Sequence, residues 1–201
     1  MKMLENITRT FKGLLLNPAE EMKRLREEPL EEAFVYFLVL SAVFVVLTAV
    51  ASVIITALTI HAPSVFLIVY LVGYIIGGYI GCFIGLIIGS VLLHVFVYCL
   101  GGRKGIEATM KAAIYSFTPI ALIGWIPVVG IIGSIWSLVL EAVAIRDLHD
   151  ISTARAAIAV ILTLLFVLAA LFLIVVFVVI VVFMLAHTSD IAVNESFMWT
   201  M

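Results

Sequence analysis

This sequence predicts an all-α protein that crosses a membrane five times, and three observations predict it. Of its 201 residues, 65% are hydrophobic and 12% charged, against roughly half and a quarter in a soluble domain. The apolar residues fall into five stretches, at about 33–60, 65–100, 106–124, 127–145 and 154–186. The 11 Lys and Arg residues fall before the first stretch or at and near the ends of later ones, all on one side of a five-span model. Lys2, Arg9, Lys12, Lys23, Arg24 and Arg26 precede the first, Arg103, Lys104 and Lys111 follow the second, and Arg146 and Arg155 flank the loop after the fourth. Basic residues collect on the cytoplasmic side of a membrane protein. The sequence therefore places the N-terminus in the cytoplasm and the C-terminus outside.

Residues 1–32 read as cytosolic amphipathic and polar helices. Leu4, Ile7, Phe11, Leu14 and Leu15 share one helical face, with Lys2, Arg9 and Lys12 off it. Such a basic amphipathic helix is expected to lie in the membrane interface. Asn17, Pro18 and Glu20 form a helix start. The helix that follows is polar nearly all round, with Met22 and Leu25 as its only apolar grip. Pro29 ends it, and Glu31 and Glu32 suit the positive end of the next helix dipole. The first 30 residues hold no compact apolar core, so no signal peptide is expected.

About 20 apolar residues cross a bilayer core of roughly 30 Å. The first span, 33–60, is long enough to tilt. A turn at His61-Ala62-Pro63-Ser64 leads into the second, which at 36 residues would reach about 54 Å and must protrude, tilt or bend. Gly101-Gly102-Arg103-Lys104-Gly105 breaks the chain. The third span contains Pro119, which frees the carbonyl of Tyr115 and predicts a kink; Ser116 and Thr118 are placed to satisfy the freed groups. Gly124-Trp125-Ile126-Pro127 forms a turn into the fourth span, where Gly130 and Gly133 permit close approach. Ser152 or Thr153 caps the fifth, and residues 187–201 form a polar external tail.

The second span holds Gly73, Gly77, Gly81, Gly85 and Gly89 at an unbroken spacing of four. That spacing draws one ridge along a helix. In a membrane, small residues on one ridge let another helix approach closely. The expectation is that a helix of this chain, or of a second copy, packs on this track.

The chemistry is thin. There is no His-Glu-x-x-His, no Gly-x-Ser-x-Gly and no phosphate-cradling glycine loop, so no enzyme activity, metal or cofactor is expected. His61, His94, His149 and His187 are scattered. Cys82 and Cys99 lie 17 residues apart, about 25 Å along one helix, too far to pair. Apart from Glu107 at the very start of the third, Glu141 is the one acid inside a span. An ionisable residue there is a functional candidate by default, although pairing with Arg146, Lys111 or Arg155 at the interface is the plainer expectation. Glu141, Ser116 and Thr118 are the candidate intramembrane polar site.

Several segments resemble the Yip domain family of Ypt/Rab-interacting membrane proteins. They are the Asn17-Pro18 helix followed by Pro29 and Glu31-Glu32-Ala33-Phe34, then Tyr115-Ser116-Phe117-Thr118-Pro119, Gly124-Trp125-Ile126-Pro127 and Trp136, and the loop from His149 to Arg155. The likeness covers about residues 11–186, with Tyr115, Pro119, Trp125 and Pro127 as its motif. It implies a five-span, non-enzymatic membrane scaffold or adaptor in membrane organisation or trafficking. The chain lacks an Asp-Leu-Tyr-Gly-Pro motif and a long N-terminal region, so it looks like the prokaryotic branch, and Rab-type GTPase binding is not carried over. The expected partners are lipids, a second copy or other membrane proteins, with no nucleic acid, at the cell membrane. The competing expectation is a small transporter or channel built around the glycine track and the Pro119 break.

Overall fold

The computed structural model describes residues 2–60 and 63–198, with side chains described from Glu5 and up to Leu185. Eight helices follow in order: α1 (Lys2–Leu16), α2 (Pro18–Arg26), α3 (Leu30–Ile60), α4 (Ser64–Cys99), α5 (Gly105–Ser116), α6 (Thr118–Ile123), α7 (Gly130–His149) and α8 (Thr153–Met198). No strand occurs among the described residues. Among the described residues, three helical stretches are long and apolar enough to cross a membrane: Leu30–Ile60, Ser64–Cys99 and Thr153–Leu185. The two stretches expected as third and fourth spans do not meet that standard. α5 and α6 are each short, and α7 carries Glu141, Arg146 and Asp147 within its 20 residues.

The chain divides into two compact units, Met1–Val160 and Ile161–Met201. The second is the continuation of α8, which stays helical to Met198, beyond the expected end at 186. Its apolar side chains from Leu171 to Leu185 are largely exposed, as a surface that meets hydrocarbon can be.

In the first unit the central element is α5. It packs against α7, α4 and α3, and Thr109, Lys111, Ala112, Ile114, Tyr115 and Ser116 are all buried. Four of those six side chains carry a polar group, so the helix can sit inside only if each finds a partner. α2 packs on α7, and α1 packs on α2 and touches α6.

One expectation is corrected here and another is narrowed. The apolar face of α1 packs on protein: Leu14 is fully buried in the core, and Ile7 and Phe11 pack against it. Leu4 lies outside the described side chains. No helix among the described residues covers the glycine track, which leaves the second copy of the two coverings expected. A Cβ added to Gly73, Gly77, Gly81, Gly85 or Gly89 would meet nothing within 4 Å. The glycine that does meet α3 is Gly78, whose Cβ would lie 3.1 Å from Val45 Cγ1.

The punctuation of the chain is closer to expectation. Pro18 opens α2, but the Asn17 side chain caps no backbone N–H; its amide donates to the Glu20 carboxylate. Ser152 Oγ accepts from Arg155 N–H at the start of α8. The break near Pro119 falls at Phe117. The turn at 124–129 uses a left-handed Val128 (φ 69°), so α7 starts at Gly130, three residues after Pro127, and runs on to His149. Gly130 and Gly133 do permit close approach: added Cβ atoms would lie 2.7 Å from Gly124 O and 3.1 Å from Pro119 O respectively. The turn expected at 61–64 lies partly outside the described residues.

Candidate functional site: a polar junction around α5

The polar side of α5 is answered residue by residue. Arg24 on α2 hydrogen-bonds Glu21 and Glu28, and donates to Thr10 Oγ1 at 2.8 Å. The hydrogen bond to Glu21, with the charge of Glu28, raises the Arg24 pKa further. Tyr115 OH donates to Glu28 Oε2 at 3.5 Å. The Tyr115 ring stands 5.6 Å from that of Tyr36, and Tyr36 OH pairs with Thr118 Oγ1 at 2.8 Å. The chain of contacts runs from α1 through α2 to α5, α3 and α6.

Lys111 is 6% exposed. Its ammonium donates to the carbonyls of Glu28 and, at 3.4 Å, Arg26, and lies 3.4 Å from Glu107 Oε1. It thereby caps the C-terminal end of α2, where helix carbonyls lack partners and a positive charge suits the dipole. Arg26, the last residue of α2, forms a two-toothed pair with Asp150, and Lys104 Nζ lies 3.0 Å from the same carboxylate. Hydrogen bonds from Arg26 and Lys104 hold the Asp150 pKa down at about 2. Asp150 also closes α7 in the left-handed conformation. A single exposed carboxylate thus ties α2, the α4–α5 loop and the end of α7 together. A cavity of about 290 Å³ opens beside it, lined by Arg26, Glu27, Lys104, Glu107 and Lys111.

The break before Pro119 is repaired locally. Thr118 Oγ1 donates to the freed Tyr115 carbonyl at 2.7 Å, and Ser116 Oγ donates to Ala113 O. Ser137 Oγ on α7 accepts from Ile120 N–H at 3.1 Å. Trp125 Nε1 donates to Leu122 O, within its own turn. Tyr115, Thr118 and Pro119 therefore build the junction, whereas Trp125 and the exposed Pro127 lie apart from it.

Glu141 does not join. It is half-buried and makes no ion pair or hydrogen bond among the described residues. The expected pairing is not formed: Arg146 binds Asp147, Lys111 binds Glu107 and α2, and the Arg155 guanidinium lies over Gly101. The sequence reading missed Tyr36, Arg24, Glu28 and Asp150. It also missed the meeting of His94 and His149, whose side chains converge on Thr109.

All-helical, with apolar helices long enough for a bilayer and a polar junction at one end, the fold is that of a polytopic membrane protein. The chain belongs to the Yip1 domain family, whose model matches residues 12–177. That family is not known as an enzyme family. No curated protein and no solved structure matches the chain.

Proposed function

We propose that this protein is a five-span membrane scaffold or adaptor whose docked α1–α2 hairpin is its partner-facing surface. The N-terminus is cytoplasmic, the C-terminus external, and the location the cell membrane. The observation that carries the reading is the Arg26–Asp150–Lys104 tie. It brings the N-terminal segment, the α4–α5 loop and the α7–α8 loop, the three segments that hold the basic residues, to one end. A five-span chain with basic residues inside requires that arrangement. The hairpin is held by buried Met22 and Leu25 as well as by charge, so it presents a fixed surface.

The hydroxyls of Ser116 and Thr118 are occupied by backbone carbonyls and Tyr36, which weighs against a carrier. One observation favours the transporter reading, the unpaired Glu141 carboxylate. Flux measurements on proteoliposomes separate the two. The scaffold shows no ion or proton flux above empty vesicles. A flux that Glu141→Gln abolishes transfers the assignment to transport.

A further inference from the structure

The two histidines that meet in the junction are bonded to no carboxylate and share one hydroxyl. His94 Nδ1 lies 2.8 Å from Thr109 Oγ1, and His149 Nε2 lies 3.0 Å from the same oxygen. The rings stand 6.2 Å apart. Thr109 is fully buried and His149 is 3% exposed. The remaining nitrogen of His149, Nδ1, is buried without a partner. Gly102 closes over it: a Cβ there would lie 2.9 Å from Nδ1 and 2.4 Å from Val97 Cγ1. Only glycine lets the α4–α5 loop seal this nitrogen from water.

We infer that His94, Thr109 and His149 form one proton-binding site, which takes a single proton and gives up the Thr109 bridge when it does. The argument is a count of hydrogens. Thr109 owns one, and a hydroxyl both donates and accepts. With both imidazoles neutral, His149 Nε2–H donates to Thr109, and Thr109 O–H donates to His94 Nδ1. That leaves only a bare lone pair on His149 Nδ1. The reverse order would put an N–H there, and a buried N–H without an acceptor is the rarer and costlier orphan.

Any added proton strands a donor. On His149 Nδ1 it makes an N–H facing the sealed loop. On His94 Nδ1 it points two N–H groups at one oxygen, whose own hydrogen then has no acceptor. No neighbouring carboxylate is free to help. Asp150 is held by Arg26 and Lys104, Asp147 by Arg146, and Glu107 lies on Lys111. The other nearby charges are positive. Arg103 stacks on Tyr98, and Arg155 lies over Gly101. A second proton would set two cations about a ring's width apart. Burial, followed by the nearness of His94, pushes the His149 pKa down to about 4. Since the folded form binds the proton less well than a free imidazole, acid favours the opened joint. The loss of stability begins below about pH 6.5 and is complete near the folded value.

The test is two-bond ¹H–¹⁵N NMR of histidine-labelled full-length protein in nanodiscs, titrated from pH 8 to 4. The expected result is a neutral His149 carrying its proton on Nε2. His94 and His149 should then change together, in one transition, as the pH falls. Thr109→Ser keeps the hydroxyl and should keep the shared midpoint. Thr109→Val should split it into two. Separate midpoints for His94 and His149 in the parent protein would overturn the proposal, as would a His149 titrating like a free imidazole. The parent titration alone decides the matter if Thr109→Val does not fold.

Discussion

Leu25→Ala is the sharpest probe of the docked hairpin. α2 is a short, highly charged helix, and such a helix alone in water would not hold its shape. In this structure Leu25 is fully buried, with Met22 beside it. Removing a buried leucine side chain costs about 2–5 kcal/mol, through lost transfer energy and the cavity left behind. The hairpin is attached to the rest through α3 only by residues 27–29. The loss should therefore appear as local undocking before it appears as global unfolding. At about 1.4 kcal/mol per factor of ten, the open population rises about 30-fold or more. Hydrogen–deuterium exchange in nanodiscs reads that change at residues 18–26. Leu16, 83% exposed, supplies the control, and Leu16→Ala should leave exchange unchanged. If Leu25→Ala also leaves exchange at 18–26 unchanged, α2 is a free cytosolic arm and the junction described above is not its anchor.

Two further predictions concern the bundle. Gly81→Leu should melt at or above the parent in detergent, because nothing lies within 4 Å of its added carbon. Gly78→Leu should melt lower, by the 1–3 kcal/mol or so typical of overpacking, because it must displace Val45; the opposite order would show that the track is covered and Gly78 is free. At the Pro119 break, Thr118→Val should cost more than Tyr36→Phe. The first strands both the Tyr115 carbonyl and the Tyr36 hydroxyl, at about 1–3 kcal/mol for each unsatisfied group, while the second leaves Thr118 bonded to its own helix. Equal melting temperatures would remove Thr118 from its bridging role.

Much of this architecture was legible in local pattern. Pro18 and the Gly101–Gly105 run mark helix boundaries because they change what the backbone can do, and that holds whatever packs nearby. Pro119 likewise announced its break, and the remedy by Thr118 followed from a freed carbonyl next to a hydroxyl. What packs on what was less legible. A glycine ridge permits close approach but does not compel it, and α3 took the Gly78 side of α4. α5 was the hardest to read. Its residues read as part of a third membrane span, yet Gly105–Ser116 is a short helix at the buried centre of the first unit. Its partners come from far along the chain: Glu28 to Tyr115 spans 87 residues, and Tyr36 to Thr118 spans 82. Arg26 and Asp150 are 124 apart. No spacing rule joins residues at those separations. Glu141 failed for a related reason, since Arg146 and Lys111, two of the cations it was expected to meet, bind other carboxylates.

The five-span reading stands or falls on the turn between α6 and α7. Val128, 81% exposed, is at its tip. In a chain with Cys82 and Cys99 replaced by alanine, Val128→Cys should react with a membrane-impermeant thiol reagent added outside intact cells, while Asp150→Cys should react only after the membrane is opened. If Val128→Cys is protected until the membrane is opened, α5 to α7 do not cross. The chain then spans the membrane only through α3, α4 and α8.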